Sequence, residues 1–214
     1  FYKTLNTYRA KPIIILVRTQ LPQNIGSTAR AMKNCGLSEL RLVEPREKWP
    51  NDGANSMAAG ADDILKNIKV FDNIPSALSD VIHVFSLTAR NRDITKIELG
   101  PDYAAKKIYE NSTKSEKSAI LFGPEQSGLT NDEIAYSNFL VKVPMVENFS
   151  SLNLSQAVLL MSWEWRKLFL KNYLSETEYR KISEPQLSHK TPLSTAQERD
   201  YFFSRLEKFL ELNN

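Results

Sequence analysis

Two patterns of hydrophobic and polar positions alternate along the first two thirds of the chain. Short apolar runs rich in β-branched residues recur, each of the length of a buried strand. Between them lie stretches with helical spacing and with residues typical of helix ends. This alternation predicts an α/β fold, a parallel sheet with flanking helices. The predicted strands are 12–17, 40–43, 68–71, 81–87, 119–122 and 139–143, and the predicted helices are 24–35, 57–65, 74–79, 101–111 and 130–137.

Capping residues support several of these helix ends. Asn24 can cap the first helix, because its side chain can accept hydrogen bonds from a helix start. Gly36 can close the same helix, because glycine tolerates the left-handed conformation that often follows a helix end. Thr130 and Glu133 have the spacing of a capping box, which predicts a helix start at that point.

After the last predicted strand the pattern indicates helices alone. Residues 153–170 carry a wide apolar stripe at helical spacing, so that helix must bury one face. Residues 175–192 are polar, contain two prolines and show no periodicity, which predicts a linker. A final helix follows Thr195, which has capping-box spacing to Glu198, and its apolar face requires a docking partner because so short a helix is unstable alone in water. The predicted organisation is a domain over 1–171, a linker over 172–193 and a C-terminal helix within 194–214.

Composition excludes several classes of protein. The 214 residues are 42% hydrophobic and 25% charged, which is ordinary for a globular chain and excludes disorder as the main state. No apolar run approaches the roughly 20 residues of a membrane span, and the first residues lack the order of a signal peptide, so we expect a soluble, cytoplasmic protein without a membrane partner. Cys35, His83 and His189 form no pattern typical of zinc ligands, so we expect no metal.

The distribution of charge is more informative than the net charge of +3. Residues 1–50 hold nine Lys and Arg against three Glu, whereas residues 51–214 hold 19 basic against 22 acidic residues. Positive charge is therefore concentrated towards the beginning of the chain. Either a solvated surface or a polyanionic partner is compatible with this bias.

The first of three unusual loops, residues 24–30, follows a predicted strand and opens a helix. In parallel α/β sheets, ligands bind at the edge formed by such loops. Gly26 in the first turn of a helix indicates that another group approaches the backbone closely there. Arg30 can lean back towards the helix start, where anions are favoured. Taken alone, the segment is also compatible with a solvated arginine and a chance glycine.

The second loop, residues 122–130, nearly matches a phosphate-binding P-loop. Leu129 stands where that motif requires lysine, and Glu125 would direct negative charge at a phosphate, so a nucleotide-dependent hydrolase is disfavoured. Gly123 and Gly128 permit backbone conformations or approaches that a β-carbon would block, and Glu125 can accept hydrogen bonds. A tight loop around a different ligand fits these residues, and a plain turn between strand and helix is the alternative.

The third loop, residues 143–157, leads from the last strand into the apolar helix. Ser150, Ser151 and Asn153 crowd hydroxyl and amide groups at the start of that helix. One of them suffices as a cap, so the others are available to a ligand. Serine and asparagine that only cap and turn the chain are the alternative.

Taken together and in this order, the three loops resemble the three motifs of the SpoU (TrmH) family of S-adenosylmethionine-dependent RNA ribose 2'-O-methyltransferases. The resemblance extends from residue 13 to about residue 170 and is closest to the TrmJ branch, whose members methylate a pyrimidine ribose at position 32 in the anticodon loop of tRNA. The matching residues are Asn24, Gly26 and Arg30 in the first motif, Phe122, Gly123, Pro124, Glu125, Gly128 and Leu129 in the second, and Ser150, Ser151, Leu152, Asn153, Leu154, Gln156 and Ala157 in the third.

This resemblance implies a fold, a cofactor and an assembly. The C-terminal part of the α/β domain would be threaded into a trefoil knot, which periodicity alone cannot indicate. S-adenosyl-L-methionine would lie bent in the knot, and a homodimer would complete the site. By position in the motifs, the cofactor-binding residues would be Leu87, Thr88, Ala89, Gly123, Val143, Met145, Ser151, Leu152 and Asn153.

The resemblance also implies catalytic residues. Arg30 matches the arginine with which the family activates the ribose hydroxyl, and because a guanidinium keeps its proton we interpret its role as electrostatic stabilisation. Asn24 would orient Arg30 or the ribose. Glu125, Ser151 and Asn153 would shape the third loop and the substrate side of the cofactor.

An RNA substrate requires basic residues that contact phosphates. Methylation of ribosomal RNA or of another tRNA position stays open, because the motifs report the chemistry rather than the target. A noncatalytic RNA-binding relative is a further alternative. The predicted RNA contacts are Arg18, Lys33, Arg41, Arg46, Arg90 and Arg92, although exposure to solvent is the simpler interpretation of the last two.

Overall fold

The described part of the chain contains one sheet of seven parallel strands. The structure, a computed structural model, describes residues 11–89, 95–147, 149, 151–183 and 194–212. The strand order across the sheet is β3-β2-β1-β6-β4-β7-β5, and every neighbouring pair is parallel. The strands are β1 (Ile13–Val17), β2 (Leu40–Val43), β3 (Lys69–Phe71), β4 (His83–Leu87), β5 (Ile97–Leu99), β6 (Ser118–Phe122) and β7 (Phe139–Val141).

Helices flank this sheet, so the predicted α/β class is confirmed. The trefoil knot stays a prediction. The chain comprises two compact units, Phe1–Tyr173 and Leu174–Asn214. The helices are α1 (Pro22–Asn34), α2 (Asp52–Ala58), α3 (Asp62–Lys66), α4 (Ile74–Ala77), α5 (Pro101–Thr113), α6 (Asn131–Ala135) and α7 (Leu154–Tyr173) in the first unit, and α8 (Glu176–Ser183) and α9 (Ala196–Leu212) in the second.

The core lies on both faces of the sheet. Side chains of β1 alternate between two hydrophobic clusters, with Ile14 and Leu16 in one and Ile13, Ile15 and Val17 in the other. Helices α1, α5 and α7 cover the first cluster, and α4 and α6 cover the second. Each fully buried aliphatic side chain contributes about 1.5 to 3 kcal/mol, so these central strands hold the loops at their ends in fixed positions.

Two differences from the predicted elements have local causes. Strand β5 was not predicted, because it has only three residues at the edge of the sheet and exposes Ile97 and Glu98, so it contains no buried run. The single helix predicted over 57–65 is wrong. Ala59 and Gly60 adopt left-handed conformations, with φ of 42° and 86°, and separate α2 from α3.

The second unit contains a helix where a linker was predicted, and it also contains the predicted last helix. Helix α8 lies within the segment for which no periodicity was predicted. The capping box before α9 is confirmed, since the Glu198 carboxylate accepts a hydrogen bond from the Thr195 amide at 2.7 Å and the Glu198 amide donates to Thr195 Oγ1 at 3.2 Å. The apolar side chains of α9 are exposed, and a docking partner for them stays a prediction. None of the helices in the described ranges is long and apolar enough to span a membrane.

Candidate active site

The first predicted loop, residues 24–30, lies within helix α1, and its Asn24 contacts the second and third loops at the carboxyl edge of the sheet. Strands β6, β4 and β7 are neighbours, and a cavity of about 250 Å³ opens where they end. This is the edge at which parallel α/β sheets bind ligands. The cavity is lined by Leu87, Thr88, Ala89, Phe122, Gly123, Pro124, Glu125, Gln126, Ser127, Gly128, Val143, Ser151, Leu152, Leu154 and Ala157.

A chain of hydrogen bonds joins one residue from each loop beside this cavity. Asn24 Nδ2 donates to Glu125 Oε1 at 2.7 Å. Asn153 Nδ2 donates to Asn24 Oδ1 at 3.3 Å. The three residues are far apart in sequence, so only the fold brings them together. Asn24 therefore stands between the second and third loops and holds both.

The Glu125 carboxylate binds the backbone that leads into α1. It accepts hydrogen bonds from the amides of Gln20 at 2.9 Å and Leu21 at 3.3 Å. Negative charge is favoured at a helix start, and here a side chain from a distant loop supplies it. The predicted anion-binding position at this helix start is therefore occupied by a carboxylate of the protein itself.

The prediction that Asn24 caps α1 is wrong. The helix begins with Pro22, its N-cap residue is Leu21, and Asn24 is the third helical residue. Proline at the first helical position costs no hydrogen bond, which explains why the helix begins earlier than the asparagine suggested. The predicted end is confirmed, because Gly36 has a φ of 78° directly after the C-cap Cys35.

The glycines of the second loop have the conformational role that was predicted. A β-carbon on Gly123 would lie 2.3 Å from the backbone nitrogen of Leu129, which leaves no room for any side chain. Gly128 has a φ of 63°, and its amide donates to the Pro124 carbonyl at 2.8 Å. The loop thus closes tightly on itself and forms one wall of the cavity.

Gly26 has a different role from that of the loop glycines. A β-carbon there would lie 2.0 Å from the carbonyl oxygen of Ala54 in α2. The close approach that the sequence indicated comes from packing of α1 against α2, and the cavity lining does not include Gly26.

Asn153 is the residue that caps α7. Its Oδ1 accepts hydrogen bonds from the amides of Ser155 at 2.9 Å and Gln156 at 3.4 Å. Ser151 is exposed and lines the cavity, so its hydroxyl is placed for a ligand. Ser150 lies outside the described residues.

Most of the predicted cofactor-binding residues surround this one cavity. Met145 and Asn153 are the exceptions and are not among the lining residues. The binding role of the whole set stays a prediction. Leu154 was not assigned to the cofactor because its place on the apolar stripe of α7 indicated core. Ala157 could have been found from its position in the third motif, and Gln126 and Ser127 from their position inside the second. The predicted residues that line the cavity are Leu87, Thr88, Ala89, Gly123, Val143, Ser151 and Leu152.

Arg30 lies apart from the chain of hydrogen bonds. Helix α1 begins at Pro22, so Arg30 is in the third turn, away from the helix start. Six residues separate it from Asn24, which places the two side chains on different sides of the helix. Arg30 is exposed, and within the described residues it makes no hydrogen bond or ion pair and does not line the cavity.

The prediction that Arg41 contacts RNA is wrong. Its side chain is only 3% exposed, and it donates to Asp80 Oδ1 at 2.6 Å, to Glu39 Oε1 and to the Ala77 carbonyl. The hydrogen bond from Arg41, together with Lys117, holds the pKa of the Asp80 carboxyl well below its usual range. Arg41 is therefore a buried structural cation with no path to a phosphate.

The other predicted RNA contacts have different surroundings. Arg18 forms an ion pair with Glu133, and Lys33 forms one with Asp63 at 2.6 Å. Arg46 is exposed on the loop after β2, and its amide donates to the Thr19 carbonyl next to α1. Arg90 and Arg92 lie outside the described residues.

Across the residues that the structure covers, no group of three or more His, Cys, Asp or Glu side chains could hold a metal ion. The free cysteine, Cys35, is buried, and this burial raises the pKa of its thiol. A thiol of this kind packs as a small apolar group rather than reacting.

Comparison with known proteins identifies the family. Residues 11–163 match the SpoU rRNA Methylase family. The chain is 38% identical over 197 residues to the tRNA (cytidine/uridine/adenosine-2'-O-)-methyltransferase TrmJ of Pseudomonas aeruginosa, which covers 92% of this chain and 76% of that relative.

Solved structures give the same result. The crystal structure of TrmJ from Z. mobilis ZM4 matches with a TM-score of 0.70 and 40% identity over 95% of this chain and 81% of that one. The SpoU methyltransferase AviRb from Streptomyces viridochromogenes, in complex with the cofactor AdoMet, matches with a TM-score of 0.58 and 16% identity over 78% of this chain and 61% of that one, which shows the fold alone. The sheet, the cavity between the second and third loops and these matches together establish that the chain belongs to the SpoU methylase family and is similar to TrmJ.

Proposed function

We propose that this protein transfers a methyl group from S-adenosyl-L-methionine to a ribose 2'-hydroxyl of tRNA. The observation that carries the proposal is the chain of hydrogen bonds from Glu125 through Asn24 to Asn153 beside a cavity at the carboxyl edge of the sheet. Membership of the SpoU family and the similarity to TrmJ, named as a tRNA 2'-O-methyltransferase, support it.

The lining of the cavity fits the proposed cofactor. Apolar side chains such as Leu87 and Leu152 can pack against a flat base, and the Ser151 hydroxyl and the backbone groups around Gly123 can bind polar atoms. S-adenosylmethionine, when bound, supplies an electrophilic methyl group on sulfur. No metal is required for such a displacement, in which an oxygen–carbon bond forms, a sulfur–carbon bond breaks and the hydroxyl loses its proton.

Arg30 is the proposed catalytic residue. Its guanidinium would contact the phosphate beside the target ribose and stabilise the alkoxide that develops as the hydroxyl proton leaves to a phosphate oxygen or water. Asn24, Glu125 and Asn153 would act as positioning residues, since each is bonded to another loop. Ser151 would lie on the substrate side of the cofactor.

The proposed target is a pyrimidine at position 32 of the tRNA anticodon loop, as the resemblance to the TrmJ branch implies. A loop nucleotide suits a recessed site, because an unpaired ribose can enter a cavity that a duplex cannot. Among the predicted RNA contacts that the structure describes, Arg46 fits a phosphate contact, since it is exposed on a loop beside α1. Affinity for tRNA should accordingly fall steeply as the salt concentration rises.

A homodimer is the proposed assembly. Leu159 and Trp163 lie one turn apart on α7 and are 43% and 50% exposed, whereas Val158, Met161 and Trp165 of the same helix are buried. Arg30 is exposed outside the lining of the cavity, which fits an arrangement in which a second subunit completes the site.

Methyl transfer from labelled cofactor to tRNA of a strain that lacks this protein tests the proposal. The wild type should label one tRNA nucleotide, mapped by its resistance to alkaline cleavage. Arg30→Ala should lower turnover at least about 100-fold while the Kd of the cofactor stays within about twofold, because the arginine acts on the transition state. If the wild type bound RNA without transferring a methyl group, the protein would be an RNA-binding protein rather than an enzyme. If the label appeared in ribosomal RNA, the substrate would be ribosomal RNA rather than tRNA.

A further inference from the structure

A second carboxylate, that of Glu133 in α6, also binds the segment between β1 and α1 to which Glu125 binds. Glu133 accepts hydrogen bonds from both Nη1 and Nη2 of Arg18, the latter at 3.1 Å, and from the Thr130 amide at 2.6 Å. Its side chain is 10% exposed, whereas that of Arg18 is 37% exposed. A two-point contact between guanidinium and carboxylate fixes the orientation of both groups as well as their distance.

The backbone around Arg18 needs external support. Arg18 directly follows β1 and has a φ of 48°, a left-handed conformation that is unfavourable for residues other than glycine. Thr19 is 3% exposed, and its hydroxyl has no hydrogen-bond partner among the described residues. Such a conformation persists only where surrounding contacts hold it.

Two carboxylates supply those contacts, one within the wall of the cavity and one after it in α6. Glu125 binds the amides of Gln20 and Leu21, and Glu133, five positions after the last lining residue Gly128, binds Arg18. Residues 123–128, which include Glu125, line the cavity. The position of this wall relative to α1 therefore depends on both links.

We propose that Arg18 is a positioning residue for cofactor binding. Its ion pair with Glu133 holds residues 123–128 in the geometry that the cofactor requires. The inference rests on the proposed function, since it takes the cavity as the S-adenosylmethionine site. It also replaces the sequence-based prediction that Arg18 contacts RNA, because Nη1 and Nη2 of Arg18 both donate to Glu133.

The substitutions Arg18→Met and Glu133→Gln remove this ion pair from each side. Methionine keeps an unbranched apolar side chain without charge, and glutamine keeps an oxygen that can accept the Thr130 amide in the capping box. Each variant should raise the Kd of S-adenosylhomocysteine, measured by calorimetry, by about tenfold. The double variant should bind no more weakly than either single variant, because all three lack the same interaction.

Lys117→Gln is the matched control. This substitution also removes one cation and one ion pair, since Lys117 Nζ donates to Asp80 at 2.6 Å. Lys117 precedes the amino end of β6 and therefore lies at the edge of the sheet opposite the cavity. The Kd of S-adenosylhomocysteine for this variant should equal that of the wild type. Thermal unfolding is followed in parallel for all variants. A lowered Tm with an unchanged Kd in both Arg18→Met and Glu133→Gln would mean a merely structural pair and would overturn the inference.

A role in RNA binding predicts the opposite pattern. In that case Arg18→Met would lower tRNA affinity and reduce the salt slope by about 0.9, whereas Glu133→Gln would release the arginine and leave tRNA affinity equal or higher. This result, too, would overturn the inference. Failure of the wild type itself to bind S-adenosylhomocysteine would instead mark failure of the proposed function, so the two failures are distinguishable.

Discussion

At the scale of single residues, the site depends on carboxylates that bind backbone and cations of other elements. Glu125 and Glu133 each accept three hydrogen bonds, and their partners lie in loops far away in sequence or at the adjacent helix start. Asp80 does the same at the opposite edge, where it pairs with the buried Arg41. The position of a charged residue in this sequence therefore gives little indication of which residue it pairs with in the folded protein.

The pair of Asp80 and Arg41 makes stability depend on pH. Because the pKa of Asp80 is lower in the folded than in the unfolded protein, its stabilisation is complete above the unfolded value of 3.8 and is lost as the pH falls through the folded value. Asp80→Asn should lower the free energy of unfolding by about 1 kcal/mol near neutral pH, since the carboxylate is partly exposed. Urea unfolding should show this difference unchanged down to about pH 5 and shrinking below about pH 4. A difference that persists undiminished at lower pH would contradict the assignment.

At the scale of elements, the first helix is positioned by both of its neighbours. Helix α2 packs so closely against α1 that the Ala54 carbonyl occupies the space that a β-carbon on Gly26 would need. The start of α7 lies close enough to α1 for its cap residue Asn153 to donate a hydrogen bond to Asn24. These contacts set where the start of α1 lies relative to the cavity. A change in helix packing outside the cavity lining should therefore affect the site.

Gly26→Ala tests this packing. A methyl group 2.0 Å from the Ala54 carbonyl forces α1 and α2 apart, so the free energy of unfolding should fall by at least about 2 kcal/mol in urea titration. Ser27→Ala, one residue further in the same helix, is the matched control and should change it by less than about 0.5 kcal/mol. Equal stability of the two variants would show that the helices can separate at little cost.

At the scale of the whole molecule, the structure divides into two compact units, and the cavity lining lies entirely in the first. The exposed surface of the first unit includes Leu159 and Trp163 of α7. Adjacent exposed apolar side chains of this size are typical of a surface that another molecule covers. The proposed homodimer places a second copy of this chain there.

Trp163→Glu tests the dimer. A carboxylate in an apolar interface costs several kcal/mol when it has no partner, so sedimentation velocity should show a monomer where the wild type is a dimer. Tyr103→Glu, which changes an aromatic residue 64% exposed on α5, should leave the dimer intact. A monomeric wild type, or a Trp163→Glu variant that remains dimeric, would exclude this surface.

The alternation of short β-branched runs with helical stretches was sufficient to predict the parallel α/β class. Buried strands and amphipathic helices have different periods, and these are properties of neighbouring residues in the chain. The three loops could likewise be predicted as one site, because their residue types and order are specific when taken together. Strand β5 could not be predicted in this way, because three residues at the edge of the sheet are too few to show a hydrophobic pattern.

The partner of each polar side chain was decided only by the tertiary structure. Nothing near Arg41 in the sequence indicates the buried site formed with Asp80, and nothing near Glu125 indicates the amides of Gln20 and Leu21. These contacts join residues that are 39 and about 100 positions apart, so they exist only after the strands are ordered in the sheet. The sequence by itself thus determined the fold class and the predicted chemistry, whereas the packing of the strands and helices decided which charges support the site and which remain exposed.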